Sequence, residues 1–167
     1  MREKWIVETK KGDFNGLSAK LKVSPLAVRC LMNRGVESEQ EMREFLYGTL
    51  DDLHDPFLMK GMDEAVREIV KAKEQGRKVA IASDFDCDGI FSAYILWKGF
   101  QKIGLDSEIF TPDRVKEGYG LNRRIVDEAL AGGRDFLVTC DNGIAANEEV
   151  DYAKKLGMTV IVTDHHE

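Results

Sequence analysis

The sequence predicts an α/β fold, a parallel β-sheet with helices on both faces, preceded by a small helical region. Three observations predict it. From Lys78 onward, short apolar runs of strand type alternate with stretches of helical period, giving β-α-β-α-β-α-β. Such an order implies parallel strands joined by right-handed crossovers. Before that point the apolar spacing is helical throughout, so the expected division is residues 1–76 and 77–167.

The elements follow in order. Ser24-Pro25 is an N-cap with proline at the first helical position, followed by Leu26, Val28, Leu31 and Met32, with a stop at Gly35. Ser38-Glu39-Gln40-Glu41 is a capping box that opens a helix through Met42, Phe45 and Leu46 to Gly48. A connector with Asp55-Pro56 leads to a stripe of Met62, Val66, Ile69 and Val70 that ends at Gln75-Gly76. Taken alone, this region is a helical arm that packs on something else. Strands are expected at Val79–Ala82, Ser107–Thr111, Asp135–Thr139 and Thr159–Thr163, and helices at Ile90–Ile103, Leu121–Leu130 and Ala146–Leu156. The last strand is followed only by Asp164–Glu167, with no helix to cover the sheet. Parallel sheets are normally covered on both faces, so the expectation is an α/β domain incomplete at its C-terminus, part of a longer protein.

Bulk properties narrow the class. The 167 residues carry 43% hydrophobic and 32% charged side chains with only three prolines, a composition that supports a packed core. No apolar run approaches the ~18–20 residues of a membrane span, and Met1–Trp5 lacks a signal-peptide core. Three cysteines, Cys30, Cys87 and Cys140, show no CxxC spacing and read as reduced thiols, so a cytoplasmic location is expected. The net charge of −6 opposes a generally basic nucleic-acid surface, but acidic groups around cations would be neutralised when bound. Net charge therefore decides nothing about such a partner.

Acidic and imidazole side chains recur where strands end: Asp84-Phe85-Asp86-Cys87-Asp88-Gly89, then Cys140-Asp141-Asn142-Gly143, then Asp164-His165-His166. Ligands of open α/β sheets bind beyond the carboxyl ends of the strands. Carboxylates gathered there repel one another and are costly to desolvate unless a divalent cation, or two, joins them. Carboxylate with imidazole suits Mn²⁺, with Mg²⁺ possible and Zn²⁺ disfavoured without thiolates. Blander explanations exist for each piece. An EF-hand loop needs Glu at its twelfth position, which is Ile95, and should follow a helix. The D-x-D-x-[TV] pattern of haloacid-dehalogenase-like phosphatases is broken by Asp88. Asp141-Asn142-Gly143 alone is a turn, and Asp164-His165-His166 alone is a frayed end or a tag. Their joint order is the strong signal. His54 reads as a solvated loop residue, Cys87 and Cys140 as small side chains directed into the core, and Trp5 and Trp97 as packing residues.

These segments together resemble the successive motifs of the DHH phosphoesterase family. Thr111-Pro112-Asp113-Arg114-Val115-Lys116-Glu117-Gly118-Tyr119-Gly120-Leu121-Asn122 is similar to a P-x-R-x-x-x-G-Y-G-L segment of its RecJ-type, single-strand-specific exonucleases. Val23–Gly35 and Asp55–Ala65 resemble the helical lead-in of that group. Ser83, Phe85 and Cys87 depart from the usual Gly, Tyr, and Val or Ala without removing a ligand. The resemblance implies two Mn²⁺ (or Mg²⁺) ions, Asp84 and Asp86 on one, Asp88 and His165 on the other, and Asp141 bridging. It implies that His166 contacts the scissile phosphate, with Asp164 orienting the neighbouring imidazole. Arg114, Lys116, Tyr119, Gly120, Asn122 and Arg123 would then face the substrate, with Tyr119 free to stack on a base; a solvated loop is the plainer account of Arg114, Lys116, Arg123 and Arg124. The implied activity is 5′-to-3′ hydrolysis of single-stranded DNA in repair and recombination, with single-strand-binding protein or a helicase as partners and no membrane. A further metal-binding aspartate and a substrate domain would lie beyond Glu167, so these residues alone should bind metal weakly and turn over little. Two alternatives are a DHH enzyme acting on short oligonucleotides, cyclic dinucleotides or pyrophosphate, and a non-catalytic DHH-like scaffold.

Overall fold

Two compact units, Met1–Leu58 and Met59–Glu167, make up the structure, a computed structural model that describes Ile6 and residues 10–166. Trp5 lies outside the described residues.

The first unit contains α1 (Phe14–Leu21), α2 (Pro25–Asn33) and α3 (Glu39–Tyr47), followed by two short 3₁₀ turns at Leu50–Asp52 and Pro56–Leu58. The caps read from sequence form: Ser24 accepts from the Ala27 amide, and Ser38 and Glu41 make a reciprocal capping box. The three helices bury Leu21, Val28, Leu31, Met32 and Met42 against one another. Helix α1 was not expected. Asp13 caps it by accepting from the Gly16 amide, and Phe14, Leu17 and Leu21 supply its apolar stripe.

The second unit opens with α4 (Met62–Glu74), then β1 (Val79–Ser83), α5 (Cys87–Ile103), β2 (Ser107–Phe110), α6 (Arg123–Ala131), β3 (Phe136–Cys140), α7 (Asn147–Lys155) and β4 (Thr159–Thr163). All strand pairs are parallel, in the order β2-β1-β3-β4. Strand alternation sorts the core into two layers. Val79, Ile81, Phe136, Val138 and Cys140 face Ala72 of α4 and Ala93 and Phe100 of α5. Ala80, Ala82 and Leu137 face Ile125, Val126 and Ala129 of α6 and Ala153 of α7. Helices thus cover both faces, as the sequence predicts. The expected boundary after residue 76 moves to residue 58, because Ile69 and Ala72 of α4 pack into the sheet core rather than into the helical unit. Trp97 packs against the same layer, as expected of a packing residue.

The inner strands β1 and β3 are buried along their whole length, whereas β4 is half-buried throughout. Arg77 locks the opposite end of the sheet, donating to the Asp135 carboxylate and to Thr159. Among the described residues, no helix is long and apolar enough to cross a membrane.

Candidate metal centre

The inner strands deliver the first carboxylates. β1 ends at Ser83, and Asp84 follows with 1% of its surface exposed. Neither of its side-chain oxygens meets a hydrogen-bond donor. The chain then turns back so tightly that a Cβ at Gly89 would lie 2.5 Å from the Asp84 carbonyl oxygen. Only glycine fits there. Asp86 caps α5, its Oδ1 accepting from the amides of Asp88 and Gly89 at 3.0 Å each. That bond starts the helix at Cys87, three residues before the position expected from periodicity. It engages one oxygen of Asp86 and leaves Oδ2 available. Asp88 sits in the first turn of α5 with its side chain exposed.

β3 delivers Asp141 in an unusual conformation. Its φ of +60° puts it in the left-handed region, which aspartate adopts more readily than most residues with a Cβ but still uncommonly. The surroundings hold it there. Its amide donates to the Thr163 carbonyl at 3.1 Å, and its own carbonyl accepts from the Tyr119 hydroxyl at 2.6 Å. The next residue, Asn142, is buried and makes three bonds: Nδ2 donates to the carbonyls of Ala82 and Cys140, and Oδ1 accepts from the Leu121 amide. Asn142 therefore ties the ends of β1 and β3 to the loop before α6. Its sequence signal was an ordinary Asp-Asn-Gly turn, which conceals this role.

β4 contributes the imidazoles. Asp164 is nearly buried and accepts from four donors: the amides of Ile144, His165 and His166, and His166 Nδ1 at 2.6 Å. Burial pushes its acidity the other way, but these donors together hold its carboxyl below the usual range. The same bond raises His166 above the ordinary imidazole value. With Nδ1 engaged, Nε2 of His166 is the nitrogen left to meet a ligand. His165 Nε2 lies 2.9 Å from Asp141 Oδ1. Ligand atoms of Asp141, His165 and His166 all fall within 4.8 Å of one another.

The carboxylates converge. Burial first, and then Asp164, Asp141, Asp84 and Asp86 in turn, push the Tyr119 phenol up to about 12. Asp86 and Asp141 also act on His166. Asp84 and Asp86 follow β1, Asp141 follows β3 and Asp164–His166 follow β4, three adjacent strands; among the described residues, Asp141, His165 and His166 are the ones whose ligand atoms cluster within 4.8 Å. Asp84 makes the strongest case for a cation, because an enclosed carboxylate without a donor is expensive unless a positive charge meets it. The oxygen and nitrogen donors fit Mn²⁺ or Mg²⁺.

The basic segment is organised differently from the wall suggested by sequence. Arg124 pairs with Glu117 and Glu128 and donates to the Thr111 carbonyl, so it fastens the loop to α6. Its guanidinium draws the Glu117 carboxyl down to about 2. Arg123 lies 5.2 Å over the Tyr152 ring, and Lys116 stands 3.7 Å from Asp113. Arg114 rests 5.1 Å over the ring of Phe85, next to the first aspartates. Asn122 caps α6 by accepting from the Ile125 amide. Gly120 has a φ of +77°, and a Cβ there would press on Asn142 at 3.4 Å. Tyr119 is anchored at its hydroxyl and its ring meets His166 edge-on at 5.8 Å, while the residue stays 54% exposed. Beside it opens a cleft of about 360 Å³ bordered by Tyr119, Leu121, Ile144, Ala146, Glu149 and His166.

The cysteines divide. Cys140 is buried, and burial followed by the neighbouring Asp141 pushes its thiol up to about 12. Cys87, expected in the core, is exposed because the Asp86 cap turns the first residue of α5 outward. His54 lies in an exposed loop, as expected.

Residues 78–167 match the DHH family, N-terminal domain. The chain is 38% identical over 165 residues to the single-stranded-DNA-specific exonuclease RecJ of Bacillus subtilis, covering 98% of this chain and 21% of that protein. It is 36% identical over 143 residues to the Escherichia coli protein of the same name, covering 85% of this chain and 24% of the relative. A crystal structure of exonuclease RecJ bound to manganese superposes with a TM-score of 0.61 at 37% identity, over 65% of this chain and 28% of that one. RecJ from Thermus thermophilus in complex with Mn²⁺ superposes with a TM-score of 0.66 at 30% identity, over 92% and 21%. The chain thus spans between a fifth and a quarter of the length of these curated relatives.

Proposed function

Because the chain belongs to the DHH family, we propose that it forms the metal-binding part of a two-metal phosphodiesterase that degrades single-stranded DNA from the 5′ end. The observation that carries this reading is Asp84, a carboxylate enclosed at the end of the first inner strand without one hydrogen-bond donor. Asp84, Asp86, Asp88, Asp141 and His165 would hold two Mn²⁺ or Mg²⁺ ions. When bound, the ions supply Lewis-acid activation of water and neutralise the charge that develops on the phosphate.

The chain's own residues do the rest. Asp86 keeps one oxygen on the α5 amides, which leaves the other for a ligand. His165, whose Nε2 lies 2.9 Å from Asp141 Oδ1, would offer that nitrogen to a cation. His166 donates from Nε2 to a non-bridging phosphate oxygen, its ring fixed and its proton retained through Asp164. Arg114, beside Phe85, meets a phosphate of the strand, and the cleft flanked by Tyr119 and Ile144 accommodates part of a nucleotide. The setting is repair and recombination in the cytoplasm, alongside single-strand-binding protein or a helicase.

The test is a Mn²⁺ titration of the full chain followed by electron paramagnetic resonance, repeated with Asp84→Asn and Asp141→Asn, and an assay on end-labelled DNA. Saturable binding lost in both variants, with slow release of nucleotides from single strands only, supports the proposal. A wild-type chain that leaves all Mn²⁺ free overturns it. Cleavage of dinucleotides with long strands untouched replaces the exonuclease by a small-substrate enzyme.

A further inference from the structure

We propose that Tyr119 is a positioning residue of the metal centre, its hydroxyl holding Asp141 in the left-handed conformation that aims the carboxylate at the cations. The inference rests on the reading of the rim as a two-metal site and gives Tyr119 a role other than base stacking.

Asp141 and Lys22 are the two non-glycine residues with positive φ among those described, and Lys22 is an ordinary helix C-cap. Asp141 has no such excuse. A left-handed aspartate at the end of an inner strand persists only where its neighbours over-determine it. Five bonds from three groups do so: the Asp141 amide to Thr163, the Asn142 side chain to Ala82, Cys140 and Leu121, and the Tyr119 hydroxyl to the Asp141 carbonyl at 2.6 Å. Only the Tyr119 bond grips the carbonyl of Asp141 itself. A backbone rotation at this residue would swing the side chain out of reach of His165, which it now meets at 2.9 Å.

The same hydroxyl oxygen stands 3.2 Å from His166 Nδ1, whose proton lies toward Asp164. One side chain thereby spans the end of β3 and the triplet after β4. The glycines around it, Gly118 at φ +82° and Gly120 at φ +77°, give the loop the turns needed to bring the ring in edge-on to His166. Phenylalanine at this position keeps the ring and its packing and removes only the donor.

The experiment compares the full chain, Tyr119→Phe, and the chain with 3-fluorotyrosine at this position, which retains the hydroxyl. Each is titrated with Mn²⁺, with free and bound ion and the zero-field splitting of the bound ion read by electron paramagnetic resonance, and melting followed by circular dichroism. Groups that orient ligands typically change metal affinity by 10-fold or more, so Tyr119→Phe is expected to weaken Mn²⁺ binding about tenfold and to alter the splitting, while the fluorinated chain matches wild type. Unchanged affinity and splitting in Tyr119→Phe overturn the inference, as does equal weakening in both altered chains. Wild-type chain that binds no Mn²⁺ instead refutes the two-metal reading, a result distinct from either.

Discussion

Replacing Asp84 by Asn should make the metal-free protein more stable while removing its ability to be stabilised by Mn²⁺. Asp84 is 1% exposed, and both of its oxygens are enclosed without a donor. Leaving a buried polar group unsatisfied costs about 1–3 kcal/mol, and more when it carries charge. Asparagine has nearly the same shape and removes the charge. A gain of about 1–3 kcal/mol follows, which for a chain of this size corresponds to a melting temperature roughly 3–10 °C higher. Wild type should show the opposite metal response: at about 100 times the dissociation constant, Mn²⁺ adds about 2.7 kcal/mol. Differential scanning calorimetry in chelator and in Mn²⁺ reads both effects on one instrument. If Asp84→Asn melts below wild type in chelator, the enclosed carboxylate is satisfied in the metal-free protein and calls for no cation.

Asn142→Ala removes three buried hydrogen bonds and leaves the Leu121 amide and the Ala82 carbonyl unmatched; a loss of about 2–4 kcal/mol is expected by urea denaturation, far above a surface substitution. Thiol labelling of the native protein should modify Cys30 and Cys87 and spare Cys140, whose thiol is buried and held near 12; urea should release it, and rapid native labelling of all three would contradict the packing. The Glu117 carboxyl, drawn down by Arg124, should titrate near 2 in carbon-detected NMR. Its contribution to the loop is present above the ordinary glutamate value and lost only as pH falls through about 2; Arg124→Gln should raise the titration toward the usual carboxylate range, with the Asp113 amide still holding it lower.

Sequence periodicity carried most of the second unit. Each inner strand is a run of apolar residues buried on both faces, and such runs announce parallel sheet with little ambiguity. Caps were equally legible where a side chain accepts the first free amides, as at Ser24 and Ser38. What escaped was governed by longer-range contacts. Gly16 interrupts the stripe of Phe14, Leu17 and Leu21, so α1 becomes evident only once it packs on α2 and α3. The boundary between units depends on which core receives Ile69 and Ala72, and helical spacing cannot tell one apolar partner from another. At the rim, residue types revealed the donors but not their conformations. A left-handed Asp141 looks like any turn aspartate in sequence, and the partners that fix it, Tyr119 and Asn142, look respectively like a stacking platform and a turn residue.

The position of the strands explains why this rim can hold so much negative charge. The two carboxylates most enclosed by the fold, Asp84 and Asp141, follow the inner strands β1 and β3, whose register pairs Ser83 with Cys140 and so ends both strands at the same level. An inner strand cannot slip without dragging two neighbours, and it carries the layers of α5 on one face and α6 on the other. Repulsion between the two aspartates therefore acts against the best-anchored backbone in the molecule. The imidazoles follow the edge strand β4, half-buried along its length, and the His165 side chain is exposed while it meets Asp141. The sheet thus anchors the repulsive half of the rim on the two strands that have a neighbour on either side.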